Sequence, residues 1–403
     1  KMRVSTALIH QKGTESLLRQ QTEALKTQLQ IASGKRILTP ADDPAGAAKV
    51  LDLQQAIGVI DRYQDNIGDV ESRLALEESV LDSVNDIIIR MKELAIQGAN
   101  STQSPESLKG ILAEVEEHLD SLVQFANTSD GNEYLFAGYK SKTLPFTETT
   151  GTFTYNGDQG VRMTQVGPSR QIAETDSGYE VFMDIKDGNG TFTTAPTPTN
   201  AGTGQITVGT VTDSTQWVPD TYTVTFTDDA NGDPTYTITD SAANVIGVAN
   251  TAFTDGDTLS FRGIEFKITG EPADGDTFTV DESSNQSMFE TFNALADALK
   301  MQQDNPAERS IFTSAMGKVM EELDLALANT NRVQAEIGAR MKAVETEFEA
   351  NAGAILALQE NLSVVQDLDM AEAITKYEMQ LVSLQAAQQS FAKMQGLKLF
   401  DFI

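Results

Sequence analysis

The sequence predicts an α+β multidomain protein. Its N- and C-terminal arms form a long antiparallel helical coiled-coil or bundle rod around a central all-β insertion. Three observations predict this. The composition changes twice along the 403 residues. Ala, Leu, Gln and Glu dominate to about Lys142, and Thr, Gly and aromatics with Asp-Gly turns run from about Thr143 to Asn285. Helical composition returns after Met288. An apolar heptad runs through the first arm and a second heptad runs through the last. Two such arms must meet if each is to bury its apolar stripe. The predicted domains are 1–42 with 367–403 (terminal paired helices), 43–142 with 286–366 (helical rod) and 143–285 (β-rich and outward-facing), in keeping with roughly 150 residues per domain.

The N-terminal segment carries a thin seam of Leu18, Leu25, Leu29 and Ala32 among Gln, Ser and Lys. A helix of this kind is marginal alone, because most helix stability comes from packing. Asp43-Pro44 then supplies an N-cap and a first-turn proline. From there Leu53, Ile60, Ile67, Leu74, Leu81, Ile88 and Ala95 recur every seven residues. Their companions three residues on are Ala56, Tyr63, Val70, Glu77, Val84 and Met91, so only Glu77 breaks the seam. At 1.5 Å per residue this helix spans ~65 Å. Ser104-Pro105 starts a third helix, to Ala126, with Leu108, Leu112, Val115, Leu119, Leu122 and Phe125 along one side.

The insertion contains alternating runs at Tyr222–Phe226, Thr235–Ile238, Leu259–Phe261, Glu265–Ile268 and Thr277–Val280. Asn231-Gly232, Arg262-Gly263 and Asp274-Gly275 are the predicted turns. Residues 143–290 hold 5 basic and 22 acidic groups, a charge of −17 out of −30 for the chain. A surface so charged stays solvated and repels its copies.

Asn305, with Pro306 after it and Glu308 three residues on, opens the C-terminal rod helix. Met341, Phe348, Ile355 and Leu362 form one of its rows. Ile337, Val344, Leu358 and Val365 form the other, with Asn351 the polar exception. The last segment shows Ile374, Tyr377, Leu381, Leu384 and Phe391. The expected terminal-helix contacts join Leu18, Leu25 and Leu29 to Leu381, Leu384 and Phe391, within one chain or between copies. The ends carry opposite charge excess: seven basic and two acidic groups over 1–38, three basic and five acidic over 366–403. Exposed pairs of this kind favour pairing only weakly.

The charge argues against nucleic-acid binding, since phosphate contacts need a basic surface. Cysteine is absent, which removes disulfides, thiolate metal sites and cysteine nucleophiles together. No stretch approaches the ~18 apolar residues of a membrane span. The apolar run after Lys1-Met2-Arg3 is cut short by His10, Gln11 and Lys12, too soon for a cleaved signal peptide. His10 and His118 read as solvated helix positions. The clusters Asp228–Asp233, Asp255–Asp257 and Asp274–Asp276 invite a calcium reading. The twelfth residue from Asp228 is Thr239, however, so an EF-hand's closing carboxylate is missing, and β-turns explain them. No nucleophile elbow, dinucleotide fingerprint or P-loop occurs. No catalytic residue, cofactor or metal is expected.

Ser33-Gly-Lys-Arg-Ile-Leu-Thr-Pro-Ala-Asp-Asp-Pro-Ala-Gly-Ala-Ala48 resembles the N-terminal signature of the flagellin superfamily. Arg90-Met-Lys-Glu-Leu-Ala-Ile-Gln97 and the end, with Ala392-Lys-Met and Leu399-Phe-Asp-Phe-Ile403, resemble its other two terminal stretches. Asn132-Glu-Tyr-Leu-Phe-Ala-Gly-Tyr139, Pro145-Phe146, Tyr155-Asn-Gly-Asp-Gln-Gly160 and Val166-Gly-Pro-Ser169 look like the hook–filament junction branch, the third hook-associated proteins. The resemblance implies a secreted structural subunit of the bacterial flagellum. It implies type III export without a cleaved signal, helped by a chaperone on the C-terminal helix. It implies self-association in a helical assembly between the first hook-associated protein and flagellin, by contacts that do not close into a ring. The competing readings are a flagellin filament subunit, an extracellular binding module with Trp217 in its site, and a secreted hydrolase.

Overall fold

The computed structural model describes residues 6–100, 104–149, 151–301 and 303–396; the Leu399–Ile403 motif lies outside them. The helices are α1 (Thr6–Ser33), α2 (Pro44–Gly98), α3 (Pro105–Ala126), α4 (Met288–Lys300), α5 (Pro306–Gln366) and α6 (Met370–Gly396), and every strand lies between α3 and α4. Each expected helix start is in place. Asp43 Oδ1 accepts the Gly46 N–H at 2.9 Å, and Ser104 Oγ accepts the Ser107 N–H at 3.2 Å. Asn305 Oδ1 accepts from Glu308 N at 2.9 Å while Glu308 reaches back to Asn305 N, a reciprocal cap. The chain divides into two compact units, residues 1–66 with 346–403 and residues 67–345.

Within 67–345 the long helices run antiparallel. Asp82 accepts from Gln334 at 2.6 Å, Asn85 donates to Gln334 at 2.7 Å, and Lys92 pairs with Asp324. As the α2 number rises, the α5 number falls. Ile67, Leu74, Leu81 and Ile88 are buried on α2, and Ile337 and Val344 on α5. Ile111, Val115 and Leu122 of α3 and Phe289, Phe292 and Leu295 of α4 complete the same core.

Within 1–66 and 346–403, Gln64 of α2 donates to the Phe348 carbonyl of α5 at 3.0 Å, so the two helices meet in this unit too. Here Leu53, Ile60, Ile355, Leu358 and Leu362 are only half-buried. Phe348 departs from expectation: half of it is solvent-exposed. In this unit Asn351, the polar exception, is the buried position of α5, and Phe348 faces solvent, whereas within the 67–345 unit α3 and α4 cover the long helices.

The insertion builds two cores rather than one. Its first part, β1 (Phe146–Thr149), β2 (Thr152–Tyr155), β3 (Met163–Gln165), β4 (Gln171–Ala173) and β5 (Ile185–Lys186), forms small hairpins around a helical turn at Tyr179–Met183. Phe146, Phe153 and Phe182 bring their rings within 5.1, 4.7 and 5.9 Å of Phe289 on α4. This part therefore belongs to the helical core. Two junction-branch motifs lock each other here. Tyr155 Oη donates to the Phe136 carbonyl at 2.9 Å, and Asp158 Oδ1 accepts from Tyr139 N at 2.9 Å and Gly160 N at 2.8 Å. Glu133 lies between Arg73 of α2, at 3.0 Å, and Arg162. The Arg162 guanidinium, supported by Arg73, holds the Glu133 carboxyl down to about 2.

The second part is a β-sandwich. Its strands are β6 (Phe192–Pro196), β7 (Gln205–Ile206), β8 (Thr210–Val211), β9 (Tyr222–Asp228), β10 (Pro234–Thr239), β11 (Val245–Ala252), β12 (Thr258–Phe261), β13 (Ile264–Thr269) and β14 (Thr277–Glu282); β15 (Asn285–Gln286) pairs back with β5. One sheet has the order β11-β10-β9-β14-β6, all antiparallel. The other has the order β12-β13-β7, with β8 also on β13. Tyr222, Val224 and Phe226 from the first sheet meet Ile264, Phe266 and Ile268 from the second in one core. Alternation along each strand provides this. All five expected strands are present. At the Arg262-Gly263 turn both residues have positive φ, 44° and 75°, and a Cβ on Gly263 would come within 2.0 Å of the Asp213 carbonyl oxygen. That turn requires glycine at position 263.

Asp276 staples the sandwich. Its buried carboxylate accepts the Ala201 N–H at 2.8 Å, the Gly202 N–H at 3.0 Å and the Ala273 N–H at 2.9 Å. Asp276→Ala leaves those donors without an acceptor. The expected loss is about 2–4 kcal/mol, read as a lower denaturation midpoint of the sandwich by Trp217 fluorescence. An unchanged midpoint would refute the staple.

Candidate functional site

The terminal helices α1 and α6 lie side by side in one unit. Leu368 N donates to the Gly34 carbonyl at 2.9 Å and Arg36 N to the Gln366 carbonyl at 2.7 Å. At the far end the His10 and Phe391 rings meet edge-on at 6.1 Å. Pairing 34 with 368 and 10 with 391 makes the helices antiparallel. Gly13 lies so close to Phe391 that a Cβ there would come within 2.8 Å of the ring. The buried residues of this pair are small: Ala24, Thr27 and Ala373.

The segment between α1 and α2 fixes the entry to the pair. Asp42 Oδ2 accepts the Leu38 N–H at 3.2 Å and the Thr39 N–H at 2.9 Å, while Lys26 approaches Asp42 Oδ1 at 2.6 Å. The Lys26 ammonium, with the Thr39 N–H, holds the Asp42 carboxyl down to about 2. Arg36 Nη2 donates to the Val365 carbonyl at 2.8 Å, and Ile37 is buried. A Cβ on Gly46 would meet Asp43 Oδ2 at 2.5 Å and Ile37 Cδ1 at 2.6 Å. The Ser33–Ala48 signature is therefore a structural joint.

The leucines face the other way. Leu18, Leu25 and Leu29 are 63%, 52% and 60% exposed, and Leu381 is 37% exposed. Leu384 and Phe391 are half-buried. The expected leucine-to-leucine seam is thus not formed within one chain. Small residues bring the two backbones together and turn the larger side chains outward. Leu18, Leu25 and Leu29, at spacings of seven and four, make one open apolar stripe on α1, and Ile374 and Leu381 are exposed on α6.

The remaining candidates have structural places. Trp217 packs 5.7 Å from the Phe192 ring and 5.8 Å from the Tyr222 ring, at the sandwich core. His118 Nε2 lies 3.6 Å from Glu114 on the same helix. Asp229 Oδ1 accepts from Asn231 N and Asp233 N, Asp257 from Thr254 N, and Asp255 from Gly270 N, so these clusters shape turns. Among the described residues no group of three or more His, Asp or Glu is placed to hold a metal ion. No described helix is long and apolar enough to cross a membrane.

Comparison with known proteins gives a consistent lineage. A model of the bacterial flagellin N-terminal helical region matches residues 4–141. A model of the D2-like domain of flagellar hook-associated protein 1 matches residues 197–282, the sandwich. Flagellar hook-associated protein 3 of Escherichia coli K12 is 25% identical over 402 residues, 99% of both chains. The crystal structure of hook-associated protein 3 from Legionella pneumophila superposes with a TM-score of 0.75 at 30% identity, covering 78% of this chain and 98% of that one. The chain belongs to the flagellar hook-associated protein 3 family. Flagellin of Listeria monocytogenes is 33% identical over 131 residues, only 32% of this chain and 46% of that one. The hook-associated protein 3 family thus accounts for both helical arms and the insertion, whereas this flagellin match covers about a third of the chain.

Proposed function

We propose that this chain is a structural, non-catalytic subunit of the bacterial flagellum. It joins the hook, at the first hook-associated protein, to the flagellin filament, and it polymerises through its terminal helices. One observation carries the reading: α1 and α6 pair through small residues and turn Leu18, Leu25, Leu29 and Leu381 outward. Paired ends whose apolar faces are left open are suited to packing against sister copies. In this reading residues 1–42 with 367–403 form the assembly layer, 43–142 with 286–366 the load-bearing rod, and 143–285 the outward-facing part. Export follows the flagellar type III route without a cleaved signal, with a chaperone holding the C-terminal helix. The absence of cysteine suits such a passage, because no wrong cross-link can form on the way.

A strain lacking its own junction protein tests this. Such a strain should carry intact hooks and release flagellin monomers into the medium. Expression of this chain should restore filaments. The double variant L25D/L29D should be secreted and melt within about 0.5 kcal/mol of the parent, since both sites are exposed, yet fail to restore filaments or to copolymerise with a first hook-associated protein cap. Filament growth with L25D/L29D would overturn the assembly surface.

A further inference from the structure

Between α3, the end of α4 and the start of α5 lies an open groove of about 490 Å3. Its floor is apolar, with Leu108 and Leu112 from α3, Leu299 from α4, and the exposed Met301 beside them. Its rim is cationic: Lys109, Lys300 and Arg309 against Asp304. Lys300 is held by Glu116 at 3.4 Å and Asp297 at 3.7 Å. Lys109 and Arg309 meet no carboxylate among the described residues, and the Arg309 guanidinium donates to the Gln303 carbonyl at 3.3 Å. An apolar floor under such a rim fits a rigid acidic projection with a small apolar centre.

The chain carries a projection of that kind. The turn from β9 to β10 exposes Asp228, Asp229 and Asp233 around Ala230. The β13–β14 turn adds Asp274, whose carboxylate accepts the Asp228 N–H at 3.2 Å. Asp229 Oδ1 locks the tip by accepting the Asn231 and Asp233 N–H groups at 2.7 and 2.9 Å. Asp229 and Asp274 are held in place by these bonds, which leaves that part of the tip little freedom to lose on docking, and Asp228 and Asp233 project from the same turn.

We propose that the groove receives this acidic tip from a second copy of the chain. Tip and groove are different patches of one molecule, so the contact is head-to-tail and repeats without closing on itself. It uses neither α1 nor α6. It also places the most acidic projection of one copy beside the unpaired cations of the next, which relieves the repulsion between insertions.

Sedimentation equilibrium of the full chain tests it, using K109E/R309E and D228K/D233K. The side chains of Lys109, Asp228 and Asp233 make no hydrogen bond or ion pair among the described residues, and Arg309 gives up one 3.3 Å bond to the Gln303 carbonyl, so both variants should melt within about 1 kcal/mol of the parent. Parent self-association should weaken as ionic strength rises from about 0.05 to about 0.5 M. Each variant alone should associate about tenfold or more weakly than the parent. A one-to-one mixture of the two should recover association, because the charges are then exchanged. Absent parent association, a variant that associates like the parent, or a mixture that does not recover would each overturn the proposal. L25D/L29D should keep this association, so failure of the groove and failure of the terminal assembly surface read out separately.

Discussion

Leu74→Asp should abolish the cooperative melting of the body formed by residues 67–345, while Leu18→Asp should leave melting unchanged. Both positions are heptad leucines in the sequence, and only burial separates them. Leu74 has no solvent exposure and sits in a continuous core with Leu81, Ile88, Val115 and Ile337. Truncating a leucine in such a place costs about 3–5 kcal/mol through lost transfer energy and the cavity left behind. Asp adds an ionised group with no partner, which costs several kcal/mol more or forces the carboxyl to stay protonated. The sum approaches the ~5–15 kcal/mol that stabilises a whole domain. Leu18 is 63% exposed, so its replacement removes almost no packing within the chain. Circular dichroism melts of both variants and of Phe348→Asp decide the matter. Phe348→Asp should resemble Leu18→Asp more than Leu74→Asp, because half of that ring already faces water. A Leu74→Asp chain that melts with the parent would mean that the long helices do not share a core.

These three positions also show how far the sequence could be read. The seven-residue period located α2 and α5, and Asp43, Ser104 and Asn305 marked the starts of α2, α3 and α5 because side-chain capping is local chemistry. Four of the five strands were legible because each alternates in burial within a few positions, and Thr235–Ile238, where the alternation is broken, was legible from its β-branched and aromatic residues. Phe348 was misplaced because a heptad gives two rows and cannot say which row lacks a covering element. Within one chain the α1–α6 contact is made elsewhere for a related reason. Apolar size points to Leu18, Leu25 and Leu29, within one chain or between copies, and inside the chain the helices meet at Ala24, Thr27 and Ala373. The run of small residues in both ends was the available signal, since small side chains permit close approach. β11 left no signal: the ladder shifts register between Tyr236 and Ile238, and Gly247 and Asn250 have positive φ, so its alternation is broken. The split of the insertion into two cores depends on Phe289, which lies more than a hundred residues from its partners Phe146 and Phe153.

Glu77 is the sharpest case, because the apparent break in the heptad is a buried polar joint. Its side chain is fully buried, and Oε1 accepts the Asp176 N–H at 3.0 Å. Oε2 has no donor and faces the Asp176 carboxylate, which is itself paired with Arg340 of α5. Burial first, and the Asp176 charge second, push the Glu77 carboxyl up to about 8, against an ordinary value of 4.5. The folded chain therefore holds a proton that the unfolded chain releases. The stabilisation is complete below about 4.5 and is lost as pH rises through about 8, at up to about 1.4 kcal/mol per pH unit. Glu133 behaves oppositely: its lowered carboxyl gives stability above about 4.5 that is lost as pH falls toward 2. The parent should accordingly lose thermal stability between pH 5 and pH 8, the window of Glu77. Glu77→Gln should flatten that loss, since an amide can accept from Asp176 N and donate to the Asp176 carboxylate at any pH. Arg340→Met should cost about 3–5 kcal/mol, the usual consequence of leaving a buried ion without its partner, and the cost should grow toward alkaline pH as the Glu77 carboxyl ionises in its buried site. Melting temperatures of the three chains against pH test this. A parent profile that is level from pH 5 to pH 8 would show that the proton is not held on Glu77, and an Arg340→Met chain as stable as the parent would show that the buried joint does not depend on Arg340.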